Sequence, residues 1–129
     1  FISFKNLTFV ASKKNPMASN KTSEININVT TDDNNIPYEM NWTASDANIK
    51  NKECKAMILS VWDKEDKAAM RMDLWTKEMM VDEMKMFFYQ TLVTMADNFQ
   101  KATGEDEIVE DLRDYCAHFA DKMKLEQMK

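Results

Sequence analysis

The stretch MVDEMKMFFYQTLVTMADNFQKATGEDEIVEDLRDYCAHFADK, residues 80–122, decides the fold. Its apolar residues recur at helical spacing: Val81, Met84, Phe88, Leu92, Met95 and Phe99 make one stripe, predicted to face the core of a helix from about Met80 to Thr103. Asp82 and Glu83 sit in the first turn, where carboxylates complement the helix dipole. Gly104, the only glycine in the chain, then stops the helix, because the left-handed conformation that ends many helices costs glycine least. A second helix starts on Glu105, Asp106 and Glu107 and closes near Lys122 and Lys124, again matching the dipole. Its spacing turns Val109, Leu112, Cys116, Phe119 and Met123 inward.

Upstream the period changes from helical to two. Ile25, Ile27 and Val29 alternate with Asn26, Asn28 and Thr30, as in a half-buried strand. The turn residues Asp32-Asp33-Asn34-Asn35 follow. Ile36, Tyr38, Met40 and Trp42 then alternate with Pro37, Glu39, Asn41 and Thr43, completing a β-hairpin with a proline near the start of its second strand. Asn51 to Trp62 suits either state; Cys54, Met57, Ile58, Val61 and Trp62 fit the helical template, and a shorter helix is expected there. Asp63 to Lys67 reads as a charged turn. Ala69 to Trp75 alternates once more, Met70, Met72 and Leu74 against Arg71, Asp73 and Trp75, giving a third strand. The expected fold is α+β: an antiparallel hairpin and a third strand packed against one shorter and two long C-terminal helices.

At 129 residues, 44% of them hydrophobic and 30% charged, the chain has the size and composition of one globular domain. Its net charge of −5, with Arg71 and Arg113 the only arginines, argues against a nucleic-acid footprint. No uninterrupted apolar run approaches a membrane span. Cys54 and Cys116 fall on the core faces of proposed helices and read as buried free thiols. Asn-X-Ser/Thr triplets at Asn6, Asn20, Asn28 and Asn41 lie in an Asn- and Thr-rich region without a secretion signal. The chain opens on Phe1, while Met17-Ala18-Ser19 resembles a start; residues 1–16 are therefore expected to be an N-terminal extension and 17–129 a single domain. Without Lys5, Lys13 and Lys14, the charge of −5 becomes −8.

A phosphate-binding glycine loop cannot be built from one glycine already used as a helix stop. His118 has Asp114 one turn before it, but neither Cys116 nor a serine there is placed as a nucleophile, and the pair reads as a solvated helix contact. Acidic runs at Asp63/Glu65/Asp66 and Glu105/Asp106/Glu107 lack the glycine and spacing of a calcium loop. No catalytic residue, cofactor or metal ligand is assigned. Two surfaces stand out. The helix beginning near Met80 carries a second apolar set, Met79, Met86, Tyr89 and Val93, which either packs internally between sheet and last helix or contacts another protein or a second copy. On the third strand, Arg71, Asp73 and Trp75 share a face that suits an interface anchor, or else Trp75 is covered and the charges pair at its rim.

The series Ser60-Val61-Trp62-Asp63, Arg71-Met72-Asp73-Leu74-Trp75-Thr76-Lys77, Val81-Asp82-Glu83-Met84-Lys85 and Gln90-Thr91-Leu92-Val93-Thr94-Met95-Ala96-Asp97 resembles the GldC family of gliding motility-associated proteins of Bacteroidetes-type bacteria. Lys21-Thr22-Ser23-Glu24-Ile25, Leu112-Arg113-Asp114 and Phe119-Ala120 extend the resemblance over roughly residues 17–126, leaving 1–16 outside it. It implies a small cytoplasmic accessory protein, not an enzyme, acting beside a cell-envelope motor and its secretion machinery. Trp62, Asp63, Arg71, Asp73 and Trp75 are nominated only as signature positions. Three functions stay open: a gliding accessory acting through protein–protein contact, an acidic adaptor or chaperone for envelope or secretion clients, and a small-molecule-binding domain.

Overall fold

The computed structural model of the chain describes residues 20–127. These residues fall into two compact units, one holding the strands up to Met79 and one holding the helices from Met80 onward. Both sheets of the first unit are antiparallel. β1 (Ile25–Thr31), β2 (Pro37–Ala44) and β3 (Ile49–Cys54) form a three-stranded sheet in sequence order, and β4 (Ala56–Trp62) pairs with β5 (Ala69–Trp75). The helical unit contains α1 (Val81–Thr103) and α2 (Asp106–Lys122).

The β1–β2 hairpin follows the alternation in its sequence, with Ile27 opposite Trp42 and Val29 opposite Met40. The same-face residues Met40, Trp42 and Ala44 turn inward, Met40 and Ala44 being buried and Trp42 half-buried. Asp32 shapes the turn by accepting the Asn34 and Ile36 backbone N–H groups, at 2.8 and 3.0 Å. Between β2 and β3 the register shifts after Trp42, where Asn51 adopts φ 47° and its N–H donates to Thr43 Oγ1 at 2.9 Å. This is a β-bulge that uses the tolerance of asparagine for positive φ.

The expected helix over Asn51–Trp62 is absent: the segment forms the end of β3 and all of β4. Helical spacing and strand alternation were both available there, since Met57, Leu59 and Val61 also have period two. The neighbours decided between them. Met57, Leu59 and Val61 stand opposite Leu74, Met72 and Met70, so the strand gains an entire apolar cross-strand row that a helix would forgo. Among the described residues there are therefore five strands and two long helices, and the expected shorter helix is replaced by strand. Cys54 accordingly lies on β3 rather than on a helix.

One long run, from Ile49 to Trp62, thus pairs with β2 over its first half and with β5 over its second. The junction is pinned by backbone and side-chain bonds. Thr76 N donates to Lys55 O at 2.8 Å, Lys77 N donates to Pro37 O at 3.2 Å, and Lys77 Nζ pairs with the Asp32 carboxylate. Lys77, through its hydrogen bond, together with the two turn amides, holds the Asp32 carboxyl below its ordinary pKa of 3.8. Thr76 is buried here, and its hydroxyl has no hydrogen-bond partner among the described residues.

In the helical unit Met80 N donates to Glu83 Oε2 at 3.2 Å at the start of α1. Gly104 closes α1 at φ +70°, its N–H bonded to Gln100 O at 2.8 Å. A Cβ there would meet nothing within 4 Å, so the requirement for glycine is the backbone angle alone. Ala96, Val109 and Cys116 are buried between the helices, and Leu112, Phe119 and Met123 are half-buried, as the spacing of α2 requires. Arg113 fastens the pair by donating to Asp97 Oδ1 (3.2 Å), Gln100 Oε1 (2.8 Å) and Glu110 Oε1 (2.8 Å). Gln100 Nε2 in turn donates to Asp106 Oδ1 at 2.8 Å. The two acceptor carboxylates, Glu110 foremost, raise the pKa of the guanidinium further.

The orientation of α1 corrects one expectation. Val81, Phe88, Met95 and Phe99, assigned to the core by their spacing, are exposed, and Met84 and Leu92 are half-buried. The helix turns the side carrying Ala96, Asp97 and Gln100 toward α2, because the small alanine lets the axes approach and Arg113 supplies polar partners. The expectations that residues 1–16 are an extension and that Met17 is a start fall outside the described residues.

Three measurements test this account. Lys77→Met should lower the melting temperature at pH 7 by about 1–3 °C. The stabilisation from a depressed carboxylate is complete above its ordinary pKa and disappears as pH falls through the lowered native value, so this difference should shrink below pH 3.8. Thr76→Val should raise stability by about 1 kcal/mol in chemical denaturation, since it removes an unsatisfied buried hydroxyl at nearly constant shape. Ala96→Leu should cost about 1–3 kcal/mol by overpacking the helix seam, whereas Ala117→Leu on the exposed side of α2 should stay within about 0.5 kcal/mol.

Candidate functional site

The β4–β5 ribbon displays the most distinctive surface among the described residues. Its register sorts side chains onto two faces. One face carries Met57, Leu59 and Val61 opposite Leu74, Met72 and Met70. Exposure rises away from the junction with the three-stranded sheet: Met57 and Leu74 are half-buried, Leu59 and Met72 are 39% and 53% exposed, and Val61 and Met70 reach 51% and 60%. The ribbon therefore projects an apolar face whose outer half is open to solvent.

The other face carries Ala56, Ile58, Ser60 and Trp62 on β4 opposite Trp75, Asp73, Arg71 and Ala69 on β5. Arg71 Nε donates to both oxygens of Asp73, at 2.9 and 3.0 Å, two residues along the same strand. Trp62 and Trp75 stand at opposite ends of this face, 68% and 55% exposed. Each is opposite an alanine, Ala69 and Ala56, so neither indole is shielded by its cross-strand neighbour. Next to Trp62 the chain turns tightly, with Asp63 Oδ1 accepting the N–H groups of Glu65 and Asp66 at 2.9 and 2.7 Å. Two exposed indoles around an ion pair form a surface suited to docking, because large rigid aromatics and arginine contribute most per residue to protein interfaces.

The other nominated residues are placed differently. Met79 is half-buried at the end of the strand unit, and Met86, Tyr89 and Val93 are half-buried on α1. The exposed apolar residues of the helical unit are instead Val81, Phe88, Met95 and Phe99 on α1, with Ile108 and Tyr115 on α2. Sequence reading missed this set by counting the α1 stripe as core. The signal was present in the small Ala96 beside Asp97 and Gln100, the two α1 residues that Arg113 contacts, which mark the other side of the helix as the packed one.

Neither cysteine has the character of a nucleophile. Burial pushes the thiols of Cys54 and Cys116 upward, reinforced by the nearby Glu53 and Asp97 carboxylates respectively. His118 is exposed, with its ring 6.1 Å from that of Tyr115. No group of three or more His, Cys, Asp or Glu side chains is arranged to hold a metal ion among the described residues. No helix among them is long and apolar enough to cross a membrane.

Comparison with known proteins gives one match. The family model described as gliding motility-associated protein GldC-like covers residues 37–125. That span takes in β2, the β4–β5 ribbon and both helices. No curated protein and no solved structure matches the chain. The matched segment exceeds half of the sequence and contains all of the residues of the ribbon face, from Ala56 to Trp75: the chain belongs to the GldC-like family of gliding motility-associated proteins.

Proposed function

We propose that the chain is a non-enzymatic accessory protein of bacterial gliding motility, working by protein–protein contact on the cytoplasmic side of the envelope machinery. The observation that carries this reading is the ribbon face, where Trp62 and Trp75 stay more than half exposed on either side of the Arg71–Asp73 pair. Leaving two indoles in water forgoes burial of the largest apolar side chains in the chain. A partner that covered them would recover that burial and engage the charges at their centre. The family's association with gliding points to a component of that machinery as the partner. Met86, Tyr89 and Val93, half-buried on α1, are secondary to this surface.

A second reading, an adaptor that holds unfolded envelope or secretion clients, is favoured by a different observation. Met70, Met72, Met80 and Met95 are all exposed, and flexible thioethers suit contacts with varied apolar sequences. The two readings predict different behaviour. A gliding accessory captures a defined component in fixed stoichiometry, whereas an adaptor suppresses aggregation of many denatured proteins.

Crosslinking capture from the native cells separates them. The wild-type chain should retain one envelope-machinery component. Trp62→Ala and Trp75→Ala should each reduce its capture by about tenfold or more, the effect of removing an interface anchor. Met86→Lys should leave capture unchanged. Full capture by both tryptophan variants would overturn the assignment of the ribbon face, and suppression of aggregation without specific capture would favour the adaptor.

A further inference from the structure

β5 pairs with β4 on one side, and among the described residues no strand pairs with its other side. The bonding phase identifies which backbone groups lie there. Thr76 N donates to Lys55 O and Asp63 N donates to Ala68 O, and the two pairs continue the β4–β5 register by one residue at either end. Hydrogen-bonded pairs alternate along an antiparallel ladder, so Met70, Met72 and Leu74 direct their N–H and C=O groups toward β4. Ala69, Arg71, Asp73 and Trp75 direct theirs outward. An edge with outward groups of this kind is a template for another strand.

We propose that β5 pairs antiparallel with β5 of a second copy of this chain, on a two-fold axis through Met72, joining two ribbons into one four-stranded sheet. The sequence Ala69-Met70-Arg71-Met72-Asp73-Leu74-Trp75 is self-complementary in that register. Arg71 stands opposite Asp73 of the second copy and Asp73 opposite its Arg71. Met70 meets Leu74, Met72 meets itself, and the small Ala69 leaves room for Trp75. All four outward-facing residues fall in facing pairs that exchange both backbone hydrogen bonds. Each favourable cross-strand side-chain pair adds further stabilisation.

Neighbouring registers fail on charge or on hydrogen bonding. Moving the axis to Arg71 sets arginine against arginine, and moving it to Asp73 sets carboxylate against carboxylate; like charges directly opposite are destabilising. Placing the axis between residues opposes outward-facing to inward-facing groups and breaks the ladder. The Met72-centred register also continues the exposed apolar row of Met70 and Met72 across the axis. It extends rather than consumes the opposite face, since both copies keep Trp62 and Trp75 on one side of the enlarged sheet. This association does not rest on the identity of any gliding component.

Sedimentation of the full chain should show a monomer–dimer equilibrium in the micromolar range. Arg71→Asp and Asp73→Arg, each alone, should weaken dimerisation by about tenfold or more, because each places like charges opposite one another. Mixing the two variants should restore association as a heterodimer, since every facing pair becomes complementary again. The double variant Arg71→Asp/Asp73→Arg should dimerise like the wild type. Where a single variant fails to fold by circular dichroism, the double variant and the wild type still decide the matter. In the wild type, the outward amides of Arg71 and Asp73 should become protected from hydrogen exchange as concentration rises. A monomer throughout the micromolar range, or a dimer whose Arg71 and Asp73 amides exchange freely, would overturn the proposal. Loss of machinery capture with an intact dimer would count against the function proposed above and not against this one.

Discussion

The run from Ile49 to Trp62 serves two neighbours. β2 pairs with its first half and β5 with its second, so one extended stretch is shared by both sheets. The rest of the strand unit adjusts to that division. The bulge at Asn51 rotates the first half into register with β2, with Thr43 satisfying the displaced N–H. At the handover, the Thr76–Lys55 and Lys77–Pro37 backbone bonds and the Lys77–Asp32 ion pair keep the end of β5 beside the β1–β2 turn. A two-stranded ribbon is marginal by itself in water, so this anchorage is what allows β4 and β5 to project.

The same division explains which parts of the fold were legible in sequence. β1, β2 and β5 alternate cleanly because each pairs with a contiguous antiparallel partner that sorts its side chains onto two faces, and their limits follow the alternation closely. The Asn51–Trp62 segment is different. Its polar start, Asn51 to Glu53, pairs within one sheet, while its apolar end, Met57 to Val61, faces another, and the mixture mimics a helical period. Local pattern cannot decide a segment whose state is set by two long-range pairings. The helices were legible in extent and cap because those depend on local chemistry: Glu83 at the start of α1 and Gly104 at its end.

Which face of α1 packs was not legible from apolar spacing. The helix carries large residues on one side and Tyr89, Val93 and Ala96 on the other, and the larger side is the natural choice for a core. Close approach to α2 is governed instead by the alanine and by the polar fork of Arg113, which needs Asp97 and Gln100 on the same side. The alternation of β5 places Arg71, Asp73 and Trp75 on one face, as their spacing indicates, and the β4 register adds Trp62, which a helix over Asn51–Trp62 would have kept apart from them. Recognising β4 as a strand is what brings both tryptophans onto a single surface.

That surface bears on how an acidic chain with a net charge of −5 could engage other proteins selectively. Net charge of one sign discourages indiscriminate association, while exposed apolar side chains favour it. On the ribbon the two tendencies are separated in space. Met57, Leu59 and Val61 with Leu74, Met72 and Met70 occupy one face, and the opposite face sets a neutralised Arg71–Asp73 pair between two indoles. Charges paired to each other can exchange partners across an interface without either being stranded, which limits the desolvation cost that usually makes interfacial charges expensive. The spacing of this pair, two residues apart about Met72, sets opposite charges against each other in the Met72-centred register, whereas axes through Arg71 or Asp73 set like charges together. Charge thereby favours the longest two-fold pairing of this edge over its neighbouring registers, and that closed pairing leaves both tryptophan faces available to a further partner.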